Sequence, residues 1–251
     1  MNQIVAAISM TLFPCLCTIL GAALVFLVGH EQSQGARRSM LGLAAGIMLA
    51  GSVFSLLLPS IEEAQKLSKN VWLAPSGGLV AGVALLLVAE RLAGELLQER
   101  AGHGGRVVLA VALHNLPQGM VVGLAAAMGT MGQADAAAGA MALSFGIGLQ
   151  NIPEGAAISL PVRQAGATRL KAFGAGVASG LVEPLGAGIA GALAGYMLAS
   201  MMPWMLSLAA GAMVCVVVQE MIPQAVEEGS IGVLAIALGF ALMMALNITL
   251  G

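Results

Sequence analysis

Leu113-His114-Asn115-Leu116-Pro117-Gln118-Gly119 and Leu149-Gln150-Asn151-Ile152-Pro153-Glu154-Gly155 are two copies of one phrase, polar-Asn-apolar-Pro-Gln/Glu-Gly. Both copies sit inside long apolar runs. On a helix, residues four apart share a face. His114 therefore stacks with Gln118, and Gln150 with Glu154, while Asn115 and Asn151 lie about 100° around each helix. Pro117 and Pro153 cannot donate to the carbonyls of Leu113 and Leu149, so each helix bends and frees an acceptor. The glycine that closes each copy leaves room for a neighbouring helix.

The surrounding chain says at what depth this chemistry lies. Of the residues, 59% are hydrophobic and only 9% charged, where a soluble domain carries about 25% charged. The mean hydropathy is +0.96. Apolar segments run from about 4–29, 40–60, 71–97, 106–129, 136–161, 169–199, 203–225 and 230–250. Each matches the roughly 20 residues that cross a bilayer as a helix. Connections are short, so residues 1–251 are expected to form a single transmembrane domain, an all-α integral membrane protein of eight helices. Helices four and five would be kinked at Pro117 and Pro153. The first segment lacks a basic leader and a clear cleavage site, and reads as a retained helix. Cys15, Cys17 and Cys215 lie in apolar runs and suggest core packing, not a disulfide framework. Nothing here resembles a nucleic-acid-binding segment.

Orientation follows from the cations, because Lys and Arg favour the cytoplasmic side. With both termini outside, Arg37, Arg38, Arg91, Arg100, Arg106, Arg163, Arg169 and Lys171 fall at inner ends, and only Lys66 and Lys69 at outer ones. Trp72 and Trp204 then mark outer interfaces. Helices four and five run antiparallel, so the phrase appears in two opposite directions at similar depth. That is the pattern of an inverted pair around a midplane site.

Imidazole nitrogen with carboxylate and amide oxygens suits a borderline divalent transition metal. The next apolar segment adds Glu183-Pro184. Each ionised group at the bilayer centre costs roughly 2.5–3.5 kcal/mol on insertion scales. Glu154 and Glu183 together are therefore expensive unless paired or liganded. Interhelical hydrogen bonding would explain any one of these residues, but not two aligned copies together with Glu183.

His114-Asn115-Leu116-Pro117-Gln118-Gly119, Gln150-Asn151-Ile152-Pro153-Glu154-Gly155 and Glu183-Pro184-Leu185-Gly186 resemble the signatures of the ZIP (Zrt/Irt-like) metal transporters, most closely the bacterial GufA-like branch. Ala45–Ala50 and Gln219–Ala225 resemble helices two and seven of that branch. The resemblance implies inward movement of divalent metal, Zn²⁺ foremost and Cd²⁺, Fe²⁺ or Mn²⁺ besides, across the inner membrane of a bacterium. It implies a paired site: one metal seen by His114, Gln118, Gln150 and Glu154 with Met48 nearby, the other by Asn115, Asn151, Glu154 and Glu183. It also implies an elevator-like shift of helices one, four, five and six against the other four, within a homodimer. One departure has a consequence. Gln118 and Asn151 are neutral where relatives carry acids, so the two remaining carboxylates balance one divalent ion, not two.

Gln219 and Glu220 are candidates for an exit path, and Glu62 and Glu63 for an entrance that attracts cations. His30 reads as a solvated helix end, and His103 as a lone loop residue. No Walker-type phrase is present, which argues against direct ATP coupling. An intramembrane metal-dependent hydrolase is the alternative from another class, but no H-E-x-x-H phrase occurs and only His114 lies at depth. A metal-permeable channel would keep the same site with different kinetics.

Overall fold

The computed structural model describes residues 2–27, 34–67, 69–97, 103–131, 134–194, 196, 199–227 and 229–250, with the side chains of 93–97, 103–114, 134–136, 199 and 250 outside that description. Eight helices run through the described residues. They are α1 Gln3–Leu27, α2 Gln34–Leu67, α3 Leu73–Leu97, α4 His103–Thr130, α5 Ala134–Gln164, α6 Arg169–Leu193, α7 Met202–Val226 and α8 Ile231–Leu250. The eight apolar segments of the sequence are thus eight helices. Among the described residues, six of these helices are long and apolar enough to cross a membrane. The chain is an all-helical, multi-pass membrane protein.

Helix α2 begins earlier and ends later than its apolar core, taking Arg37 and Arg38 into its first turns and Glu62, Glu63 and Lys66 into its last. Helix α6 stops at Leu193, before the expected end near 199. Both α4 and α5 stay continuous through Pro117 and Pro153. The interruption falls instead on α6, at Leu181, between Arg169–Gly180 and Val182–Leu193. Pro184 supplies the reason: it cannot donate to the carbonyl of Gly180, and its ring disfavours continuous helix there. Two other prolines act differently. The N–H of Leu58, just before Pro59, bonds to Val53 O, and that of Ile222, just before Pro223, to Val217 O. Each widens its helix into a short π segment, Ser52–Leu57 in α2 and Val217–Met221 in α7.

Packing divides the helices into two quartets. Helices α1, α4, α5 and α6 pack on one another, and α2 packs on α8 and α7, and α3 on α7. Lipid offers no hydrophobic drive between helices, so small residues and close backbones hold them. A Cβ at Gly21 would collide with the Ile152 carbonyl, and one at Gly155 with the Thr18 carbonyl, so α1 and α5 touch backbone to backbone. Gly119 and Gly186 do the same for α4 and α6, Gly46 and Gly239 for α2 and α8, and Gly82 and Gly211 for α3 and α7. Gly51 and Gly146, which meet the other quartet, face side chains instead: Gln150 and Ser55.

Interhelical side-chain hydrogen bonds among the described residues follow the same division. Pro14 leaves the Met10 carbonyl without its helical donor, and Ser144 Oγ of α5 donates to it at 2.7 Å. Ser60 Oγ donates to Pro203 O (2.7 Å) and Ser207 Oγ to Ala74 O (2.9 Å), tying α2 to α7 and α7 to α3. Cys15, Cys17 and Cys215 are buried and unbridged.

Candidate metal centre

Asn115, Gln118, Gln150, Asn151, Glu154, Glu183 and Met48 are all at most 2% exposed. Six of these seven belong to the first quartet; Met48 alone comes from the second. The polar phrase therefore faces inward on both helices. His114 lies on α4 one residue before Asn115, with its side chain outside the description.

Asn151 sits at the centre of the bonded network. Its Nδ2 donates to Pro14 O at 3.2 Å and, in a short bond, to Glu183 Oε1. Asn115 Nδ2 donates to Ser179 Oγ at 3.1 Å and to Ser179 O at 3.4 Å. Each asparagine is thus anchored through its nitrogen, and each keeps its Oδ1 buried without a hydrogen-bond partner. Glu183 Oε2 and both amide atoms of Gln118 and Gln150 are also buried and unpartnered. Leaving a buried polar group unsatisfied costs about 1–3 kcal/mol. The unpartnered atoms on these five residues are five acceptor oxygens and two donor amide nitrogens.

Glu154 and Glu183 lie within electrostatic reach of each other. Glu183 occupies the first turn after the break in α6, where a helix N-terminus favours a negative side chain. Gly119 packs on the Glu183 backbone, which brings α4 to that turn. Met48 packs among Met213, Val217 and Met221 in the main core. It lies one turn from Gly51, against which Gln150 Oε1 is pressed. Among the described residues, no three His, Cys, Asp or Glu side chains form a metal-holding group. The cluster has two carboxylates, and the rest of its described donors are amides and a thioether.

The structure does not bring every candidate here. Gln219 is exposed and accepts from Cys215 Sγ at 3.5 Å. Glu220 is half-buried one turn from Gln224, which accepts from Arg37 at 3.0 Å. Both lie in the π segment Val217–Met221 of α7. His30 lies outside the described residues, as does the side chain of His103. Ser179 and the Pro14 carbonyl, which orient the asparagines, were not singled out by sequence; the phrase carries no signal for partners on α6 and α1.

A cavity of about 1300 Å³ is lined by Glu62, Glu63 and Lys66 and, from α2 and α5, by Phe54, Gly146 and Leu149. Leu149 is the residue before Gln150, so the cavity stops just short of the buried cluster. Asn247, near the end of α8, and Met10, in the first half of α1, line the same cavity. The first half of α1 and the last turns of α8 therefore lie beside the Glu62 end of α2.

Comparison with known proteins gives consistent matches. A family model described as "ZIP Zinc transporter" matches residues 103–247, more than half of the chain. "Zinc transporter ZIPB" of Bordetella bronchiseptica is 39% identical, across 93% of this chain and 78% of its own length. "Zinc transporter GufA" of Myxococcus xanthus is 34% identical, across 91% and 93%. "Zinc transporter ZIP11" of Xenopus tropicalis is 30% identical, across 93% and 94%.

Proposed function

The chain belongs to the ZIP zinc transporter family, a family of transporters and not of enzymes, and from that premise we propose that it carries divalent metal, Zn²⁺ above all, inward across a bacterial inner membrane. The observation that carries this reading is the sealed cluster of acceptor oxygens on Asn115, Asn151 and Glu183, with Gln118 and Gln150 beside them. One ion binds here, held by Glu154, Glu183 and the amide oxygens, with His114 and Met48 as nitrogen and sulfur donors. Two carboxylates neutralise one divalent cation. Cd²⁺, Fe²⁺ and Mn²⁺ are competing cargoes.

All eight helices span the bilayer, with both termini outside and the Arg-rich ends of α2, α5 and α6 inside. The cavity beside Glu62 and Glu63 is the entrance, and Glu220 lies along the exit. The ligands, Met48 excepted, ride on α4, α5 and α6, which pack with α1. That quartet is locked internally by glycine contacts and hydrogen bonds and meets α2 through side chains. This supports alternating access by displacement of one quartet against the other, in a homodimer whose second quartet stays fixed. Saturating uptake at rates far below channel flux separates the carrier from a channel with the same site.

The test is uptake of metal into liposomes containing the purified protein. The wild type accumulates Zn²⁺, and Glu154→Ala abolishes accumulation while remaining folded and inserted. Near-normal uptake by that variant overturns the assignment.

A further inference from the structure

We propose that Gly51 is a notch on the fixed helix α2 that receives the Gln150 amide, and that its lack of a side chain sets the balance between the carrier's two end states. Gly51 is thus a positioning residue, acting through Gln150. The inference rests on the carrier reading above, but it concerns a contact that the metal chemistry does not itself require.

Gln150 is fully buried, and neither its Oε1 nor its Nε2 has a hydrogen-bond partner. Its Oε1 lies where a Cβ on Gly51 would be, so that any side chain there would collide with it. Only a Cα–H can meet the oxygen at such a spacing, and that is a weak interaction. The two residues belong to different quartets. Gln150 belongs with the ligand-bearing helices, while Gly51 lies on α2, one turn from Met48 and directly before the π segment Ser52–Leu57. π segments recur where a helix must present an irregular surface at a functional site.

Gly46 and Gly239 pack backbone to backbone inside the fixed quartet and are structural. Gly51 differs, because what it accommodates is the tip of one side chain from the moving quartet. A methyl group there leaves α2 free to form, since alanine is the better helix former. It fills the space that Gln150 occupies in this state, and displacement of the amide moves the population toward the opposite end state.

The experiment combines uptake with accessibility. Ala142 is exposed and lines the cavity beside Glu62 and Glu63. An Ala142→Cys protein in detergent is labelled with a water-soluble maleimide, the native cysteines being buried. Adding Gly51→Ala is expected to slow labelling and to lower Zn²⁺ uptake in liposomes, each about tenfold, the scale of a population shifted by one decade. Gly35→Ala, on the same helix with nothing near its Cα, changes neither. Gln150→Asn withdraws the amide from the notch and slows labelling by itself. Gly51→Ala then adds nothing in that background, because the two changes act on one contact.

Labelling that Gly51→Ala leaves unchanged, whether or not uptake falls, overturns the proposal, as do additive effects of the two substitutions. If Gly51→Ala fails to fold, Gln150→Asn alone decides: unchanged labelling overturns the notch. A wild type that takes up no metal would remove the carrier reading and leave the labelling result intact, so the two failures are distinguishable.

Discussion

Ser179→Ala tests whether Asn115 is a ligand held in place. Asn115 Nδ2 has two acceptors on Ser179, the hydroxyl at 3.1 Å and the carbonyl at 3.4 Å. Good N–H···O bonds fall at about 2.7–3.2 Å, so the hydroxyl is the main anchor. Removing it leaves the amide with the longer contact alone. A net hydrogen bond is worth about 0.5–1.5 kcal/mol, and bonds between membrane helices average about 0.6 kcal/mol. Without the anchor, that energy must be recovered from the metal each time the amide turns its oxygen inward. At about 1.4 kcal/mol per decade, zinc binding should weaken about three- to tenfold. Calorimetric titration of the purified protein measures this directly. In an Asn115→Ala background Ser179→Ala should cost nothing further, and Ser179→Thr, which keeps a hydroxyl, should lose little. Wild-type zinc affinity in Ser179→Ala would refute the reasoning, as would losses that add across the two sites.

Gln118→Glu together with Asn151→Asp raises the carboxylates from two to four, so the double variant should bind two equivalents of zinc at comparable affinity where the wild type binds one; calorimetry counts them, and two equivalents in the wild type would defeat the charge argument. Gly155→Ala places a methyl against the Thr18 carbonyl of α1. The overlap should destabilise the protein by about 1–3 kcal/mol, read as a lower melting temperature in detergent; an unchanged melt would deny the backbone contact. Met48→Ala should weaken Cd²⁺ binding more than Mn²⁺ binding, because a thioether favours the softer ion; equal losses in competition titrations would make Met48 a packing residue only.

Much of this was readable because it is local. The repeated phrase announced which faces of α4 and α5 turn inward, and Asn115, Gln118, Gln150, Asn151 and Glu154 are all buried there. Gly42 and Gly46, and Gly119 and Gly123, spaced four apart, each meet a neighbouring helix's backbone. Prolines were harder. The same residue leaves α4 continuous at Pro117, breaks α6 before Pro184 and widens α2 before Pro59, and the neighbours decide which. Ser144 capping the carbonyl freed by Pro14, and Ser179 holding Asn115, are contacts between helices far apart in the chain. No periodicity encodes them, since they depend on which helices become adjacent.

Gln118 carries the argument about energy furthest. On the proposed reading, bound Zn²⁺ neutralises Glu154 and Glu183, and the quartet that carries them presents no net charge from the site while it shifts. A glutamate at 118 would leave one surplus negative charge around a single ion, at roughly 2.5–3.5 kcal/mol for an ionised group at the bilayer centre. A second cation would overshoot that charge by the same amount, whereas acids at both 118 and 151 balance two ions, so both acids and a second ion belong together. The amides at these two positions remove the need for it, and they leave oxygen donors that hold one ion without retaining it too tightly for release. On the proposed reading, occupancy by one ion is a consequence of two side chains, and exchanging both Gln118 and Asn151 for acids should shift it.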